Sequence, residues 1–291
     1  MKRNVIYIAA VLFITVGCQK EVIETNEINT ELQVVENESI EAHNKEFVNP
    51  IDDLTNTYIR SIDVNEERKD GKWRKIIGKD LVGFVTGAGI GAGVGAVVGG
   101  IGAGPGALIG GVLMGAGSSL AASNGTNGGS NGTGVGNPNN PYEGTGVAHY
   151  DVVTDGLNGS NYFNGTEITD YQAYYTKVFS VLKIKYQDCD NGISCFNVVD
   201  VQNVIEEVSS DNKNLVASLN NVNGISQNVK TVLHSYFNGI MNSNNSTPFI
   251  NYSIDAENVI LNSSMNDLDK IIILSTMSNA RIGVQFWNPN M

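Results

Sequence analysis

At 291 residues and 31.1 kDa the chain has room for one or two domains, and 41% hydrophobic residues are enough for a packed core. With 18 basic and 30 acidic residues the net charge is −12 and the pI about 4.6, which argues against a nucleic-acid binder, since that needs a basic face. Three cysteines are too few for a disulfide-dense scaffold.

Residues 1–17 have the parts of an export signal: Lys2 and Arg3, an apolar stretch from Val5 to Val16, and small Gly17 before Cys18. The apolar run is short of the roughly 20 residues that span a bilayer. Thr15-Val16-Gly17-Cys18 resembles a bacterial lipobox, in which the cysteine becomes the lipidated first residue; an ordinary signal peptide or uncleaved anchor is the alternative. Gln19-Lys20-Glu21 lacks the aspartate that retains many lipoproteins at the inner membrane, and it is similar to the Lys-plus-acidic surface-export signal of Bacteroidota-type lipoproteins. The resemblance implies export, acylation of Cys18 and an outer-membrane address, with surface exposure open. Each buried acyl methylene contributes about 0.8 kcal/mol to such an anchor.

Residues 18–70 read as an acidic tether. From Gln19 to Asp70 there are 14 acidic and 5 basic residues, a composition that favours solvation over packing, with a short helix near Pro50–Asp63. The charge then reverses. Lys72, Arg74, Lys75 and Lys79 surround Trp73 at the edge of an uncharged segment, a pattern suited to a membrane interface. A solvated charge run ahead of a helix is the other reading.

No charged residue occurs from Leu81 to Ser123, and 15 glycines do. Gly83, Gly87, Gly91, Gly95 and Gly99 recur every fourth residue, followed by Gly102, Gly106 and Gly110 and by Gly111, Gly115 and Ser119. That spacing lines small residues along one helix face, where another helix can approach backbone to backbone. Each helical glycine costs about 1 kcal/mol against alanine, so a lone aqueous helix would not form. The cluster from Gly99 to Gly106 predicts a tight turn between a helix starting near Leu81 and a second starting near Ala107. Residues 71–123 therefore form a predicted hairpin of near-bilayer length.

The run Gly-Ala-Gly-Ile-Gly-Ala-Gly-Val-Gly-Ala-Val-Val-Gly-Gly with the later Pro-Gly-Ala-Leu-Ile-Gly-Gly resembles the glycine-zipper two-helix domain of small outer-membrane lipoproteins of the rickettsial surface-antigen type. Similar repeats occur in two-peptide bacteriocins and other pore-formers. The resemblance implies helix packing in a membrane and self-association through the zipper. A nucleotide-binding reading fails: the Gly-x-Gly-x-x-Gly pattern needs a substitution at Ala96, and Gly-Lys-Ser/Thr is absent.

Residues 124–141 are an uncharged Gly/Asn/Ser linker, disordered by composition. Residues 142–291 are long enough for a separate core. Helical periodicity marks 167–186, 199–208, 227–241, 255–263 and 265–280, with a strand from Asp267 to Leu274 as a local alternative. The expected fold is mainly α: a zipper hairpin plus an all-α domain that vaguely resembles uncharacterised helical domains of Bacteroidota lipoproteins. Cys189 and Cys195 flank a turn sequence and form an even pair once Cys18 is lipidated. A disulfide is expected, with two unpaired thiols as the alternative and no zinc pattern present.

Catalytic signatures are missing. His149 and His234 sit among aromatic residues, and no Gly-x-Ser-x-Gly or His-Glu-x-x-His occurs. Asp151, Asp155 and Asn158 lie in a stretch read as a Gly/Asn-rich loop suited to no more than weak calcium binding, without the EF-hand order. Tyr171, Tyr174, Tyr175, Phe286 and Trp287 suit a binding groove or a core equally well. No catalytic residue, metal or cofactor is expected. The leading expectation is a non-enzymatic lipoprotein with a lipid membrane and an unidentified protein as partners, and no nucleic acid. A pore-forming toxin that inserts the hairpin is the alternative, and an envelope hydrolase using His149 a third reading.

Overall fold

Helix-forming runs separated by Asn, Ser and Gly clusters give a mainly helical protein. The computed structural model describes residues 44–62, 72–97, 102–124, 126, 136–185, 196–210, 215–243 and 246–287. Ten α-helices occur among them. After a π-helical turn at Asn44–Val48 come α1 (Asn49–Ser61), α2 (Lys72–Val97), α3 (Ala103–Ser123), α4 (Glu143–Leu157) and α5 (Tyr171–Lys185). They are followed by α6 (Val198–Ser210), α7 (Leu215–Asn220), α8 (Gln227–Asn242), α9 (Ser246–Leu261) and α10 (Asp267–Trp287).

Local chemistry explains several starts. Asp170 Oδ1 accepts from Ala173 N at 2.9 Å and Asn197 Oδ1 from Val199 N at 2.9 Å, capping α5 and α6. Ser226 Oγ accepts from Val229 N at 3.2 Å to cap α8 and donates to Asp269 Oδ2 at 2.8 Å. That second bond ties the starts of α8 and α10 together. Asn266 Oδ1 caps α10 through Asp269 N at 2.9 Å. Pro105 falls in the first turn of α3, where a missing N–H costs nothing. Gly102, at φ +86°, turns the chain into that helix.

The hairpin of α2 and α3 is the interior of the molecule. Among the described residues both helices are long and apolar enough to cross a membrane by length and composition, yet 78 and 83% of their apolar windows are buried inside the protein. Helices α4 and α6 pack against α2, α3 or both, α10 lies along both, α7 touches α2 and α5 touches α3. Helices α1, α8 and α9 form a neighbouring group joined through α8 and α9 to α10. Lys45–Met291 is one compact unit, so the expected boundary between a hairpin at 71–123 and a separate domain at 142–291 is not where the structure divides the chain. The reason is packing: a lone two-helix hairpin would leave large apolar faces bare, and α4 and α10 cover them.

The glycine stripe works as spaced. A Cβ on Gly91 would collide with the carbonyl oxygen of Gly106, one on Gly87 with that of Gly110, and one on Gly95 with that of Gly102. Gly83 faces Met114 and Ser118 in the same register. Gly111 and Gly115 instead receive the Phe84 ring and backbone, and Gly115 also meets His149. Gly99 lies outside the described residues. Gly93 is on the open side, with no atom within 4 Å of its would-be Cβ.

Two glycine-to-alanine substitutions therefore diverge in sign. Gly91→Ala should destabilise the unit by about 1–3 kcal/mol through forced separation of the helices. Gly93→Ala should be neutral or stabilise by up to about 1 kcal/mol through helix propensity. Denaturant midpoints of the two variants measure the difference, and similar midpoints would mean that α2 and α3 do not meet along this stripe.

Candidate functional site

Two of the polar clusters among the described residues each join several helices in the apolar interior. The first is at the base of the hairpin, where α2 carries Asp80. Tyr150 donates from its hydroxyl to Asp80 Oδ2 at 2.5 Å, and Asn279 Nδ2 donates to Asp80 Oδ1 at 2.9 Å. His149 Nε2 lies 3.1 Å from Asp80 Oδ1, outside hydrogen-bond geometry, and neither ring nitrogen has a hydrogen-bond partner among the described residues. Asp80, His149, Tyr150 and Asn279 are all buried. Burial, and secondarily the neighbouring Asp80 carboxylate, pushes the Tyr150 phenol well above its usual range. An Asp–His–Tyr grouping has the residue types of acid–base chemistry. Buried from solvent, it forms a polar junction between α2, α4 and α10.

The second cluster centres on Arg281 of α10. Its Nε donates to Glu257 Oε1 at 3.1 Å and its Nη1 to Glu143 Oε1 at 3.0 Å, while Nη2 pairs with Glu143 Oε2. Glu257 also accepts from Asn137 Nδ2 at 2.8 Å, from Asn140 Nδ2 at 3.2 Å and from Ser253 Oγ at 3.3 Å. Burial raises the Glu257 carboxyl, opposed by Arg281 and Asn137. Burial alone would lower Arg281, but Glu143 and Glu257 together hold it above its usual value. Arg281 and Glu257 are fully buried, so each charge is tolerated only because the others are present. The cluster clamps α4, α9 and α10 to residues 137–140, which the sequence assigned to the linker.

Of the residues expected at a membrane interface, Trp73, Arg74 and Lys79 make contacts within the protein. Trp73 is buried, with the Arg74 guanidinium 5.0 Å from its ring centroid. Arg74 Nε donates to Ser243 O at 3.2 Å, and buried Lys79 donates to Val208 O at 2.9 Å. Lys72 and Lys75 are exposed. The helix starts nine residues ahead of Leu81 because Trp73, Ile76, Ile77 and Asp80 form one inward face at helical spacing, leaving the lysines at 72 and 75 on the other.

Asp151 and Asp155 stand on α4, not in a loop, and Asn158 follows its last turn. Asp155 is taken by Lys177 at 2.5 Å and by the Tyr162 hydroxyl at 3.0 Å. No metal-ligating group of three or more His, Cys, Asp or Glu exists among the described residues. The Asp155–Lys177 pair floors an open cleft of about 510 Å³ beside Asn161, Asp170 and Gln172, and it is about one-third exposed. Tyr174, Tyr175, Phe286 and Trp287 are core residues, Tyr171 is half-buried and His234 is exposed. Cys18, Cys189 and Cys195 lie outside the described residues.

Sequence reasoning passed over Asp80, Glu257 and Arg281. The available signal was weak: a charged residue in an otherwise apolar helical face, as Arg281 is between Ala280 and Ile282. No family model, no curated protein and no solved structure matches the chain.

The buried and exposed ion pairs should respond very differently to truncation. Glu257→Leu leaves Arg281 with half its partners in a dry interior and should cost about 3–5 kcal/mol. Lys177→Ala, at a partly exposed pair, should cost no more than about 1 kcal/mol. Equal losses in urea titrations would contradict this assignment.

Proposed function

We propose that the chain is a non-enzymatic envelope lipoprotein. Acyl groups on Cys18 hold it to an outer membrane, the acidic residues that follow space it from the lipid, and the helical unit from Lys45 onward is the partner-binding body. The observation that carries this division of roles is the cover on the hairpin. Helices α2 and α3 have membrane length, but their apolar sides are occupied by α4, α6 and α10, which leaves anchoring to lipid. The burial of His149 beside Asp80 supports a non-enzymatic reading. Pore formation by the hairpin would first have to strip this cover and expose the polar groups around Asp80.

The test is membrane fractionation of an exportable Cys18→Ala variant, with a high-salt wash at neutral pH. Alkaline washing is unsuitable for a physical reason. Burial pushes the Tyr58 phenol up to about 12 from 10.0, and raises Tyr150, Tyr174 and Tyr236 well above that ordinary value. A proton held more tightly in the folded than in the unfolded chain stabilises the fold fully below pH 10.0, and that contribution drains away as the pH rises further. At neutral pH the variant should appear in the soluble fraction while the parent stays with the membrane. A variant that remains in the pellet without aggregation would make the hairpin an integral anchor and overturn the reading.

A further inference from the structure

The cleft at the junction of α4, α5 and the loop between them has a volume of about 510 Å³, inside the range of about 300–1,000 Å³ typical of small-molecule sites. Its loop is ordered by its own hydrogen bonds. Asn164 Oδ1 accepts from Thr166 N at 2.9 Å, from Glu167 N at 3.0 Å and from the Thr166 hydroxyl at 2.8 Å. Thr169 N donates to Tyr162 O at 2.9 Å. Phe163 and Ile168, bridged across the loop, are buried in the core. The wall that carries Asn161 and Tyr162 is therefore fixed by the fold itself, which lowers the ordering cost of binding.

The floor of the cleft decides what kind of ligand fits. Asp155 and Lys177 are paired there and about one-third exposed, and the Tyr162 hydroxyl holds the second Asp155 oxygen at 3.0 Å. A singly charged ligand would have to take one of the two from its partner. Two carboxylates, Asp155 and Asp170, against one ammonium line the cleft, so an anion is further disfavoured. A hydroxyl group meets no such conflict. It can donate to a carboxylate lone pair of Asp155 and accept one of the ammonium protons that Lys177 does not give to Asp155.

The rim continues the pattern. The hydroxyls of Thr176 and Ser180 donate to Gln172 O at 2.9 Å and to Lys177 O at 2.8 Å, which leaves their lone pairs as acceptors at the edge of the cleft. The exposed side-chain amides of Asn161 and Gln172 each add a donor and an acceptor. Half-buried Ala173 and the alkyl stem of Lys177 supply apolar surface between these polar groups. We propose that the cleft binds a neutral pyranose sugar. A rigid ring with several hydroxyls at fixed spacing can satisfy the Asp155–Lys177 pair and the amides together, with little of its own freedom to lose. The proposal stands on the cleft alone and does not depend on acylation of Cys18.

Saturation-transfer difference NMR on the purified Cys18→Ala chain, in a buffer whose detergent, if one is needed, has no sugar headgroup, tests this with four probes: glucose, galactose, mannose and N-acetylglucosamine. At least one should give a saturable signal, with a Kd of roughly 1–10 mM for so open a site. The double substitution Asn161→Ala with Gln172→Ala, both at exposed positions, should leave the helical circular dichroism unchanged and weaken binding about fivefold or more. Sodium glutamate, as a charged probe, should give no saturable signal. Silence with all four sugars overturns the proposal. So does a sugar signal that the double substitution leaves undiminished, which would put the binding elsewhere. Binding of glutamate in preference to every sugar would also overturn it, because the Asp155–Lys177 pair would then be opening to a charged ligand.

Discussion

The close approach of two glycine-lined helices is the constraint on which the rest of the structure depends. Where Gly87, Gly91 and Gly95 meet Gly110, Gly106 and Gly102, a backbone carbonyl occupies the space that a side chain would need. Every glycine in these helices costs about 1 kcal/mol of helix propensity, a cost that close packing at the seam and along the flanks has to offset. The same device recurs away from the seam. Gly117 receives Ile205 of α6, Gly146 lies against Ser278 and Ile282 of α10, and Gly156 receives Leu120. Small residues let helices approach on several sides of the hairpin at once.

A core made mostly of apolar groups still has to be oriented, and the polar clusters around Asp80 and Arg281 do so. Asp80 gives α2 one position at which Tyr150 of α4 and Asn279 of α10 can both be satisfied. Arg281 does the same for Glu143 and Glu257, joining α4 and α9 through α10. A register slip of any of these helices would leave a charge unpaired in a dry interior, a penalty of several kcal/mol. Glycine packing permits close approach, and the ionic groups select one arrangement among the close ones.

The seam was legible in the sequence because its signal is local and periodic. So were most helices after residue 165, where apolar residues recur at helical spacing and capping residues such as Asp170 and Ser226 precede them. Helix α4 was not legible: Gly144, Gly146 and Gly156 look like breakers in one dimension, and only the presence of Ser278 and Leu120 shows why two of them are small. The Trp73 cluster resembled a membrane border because sequence order mixes the inward and outward sides of a helix. The polar junctions were invisible for a different reason: Asp80 and Asn279 are 199 residues apart, and no spacing rule reaches that far. Membrane length and apolar composition belong equally to a bilayer span and to a core hairpin, and spacing along the chain gave no sign of the helices that lie against α2 and α3.

Function follows from what the hairpin is free to do. With the sides of the hairpin internal, attachment to a membrane falls, in the function proposed above, to lipid on Cys18. The most direct test of that account is native-state hydrogen exchange on the lipid-free chain in detergent-free buffer. The amides of Phe84, Val85, Val112 and Leu113, all buried, should exchange only through global unfolding, among the slowest in the molecule. Rapid exchange at these positions, with slow exchange confined to α8, α9 and α10, would show that the hairpin is not the core of the helical unit.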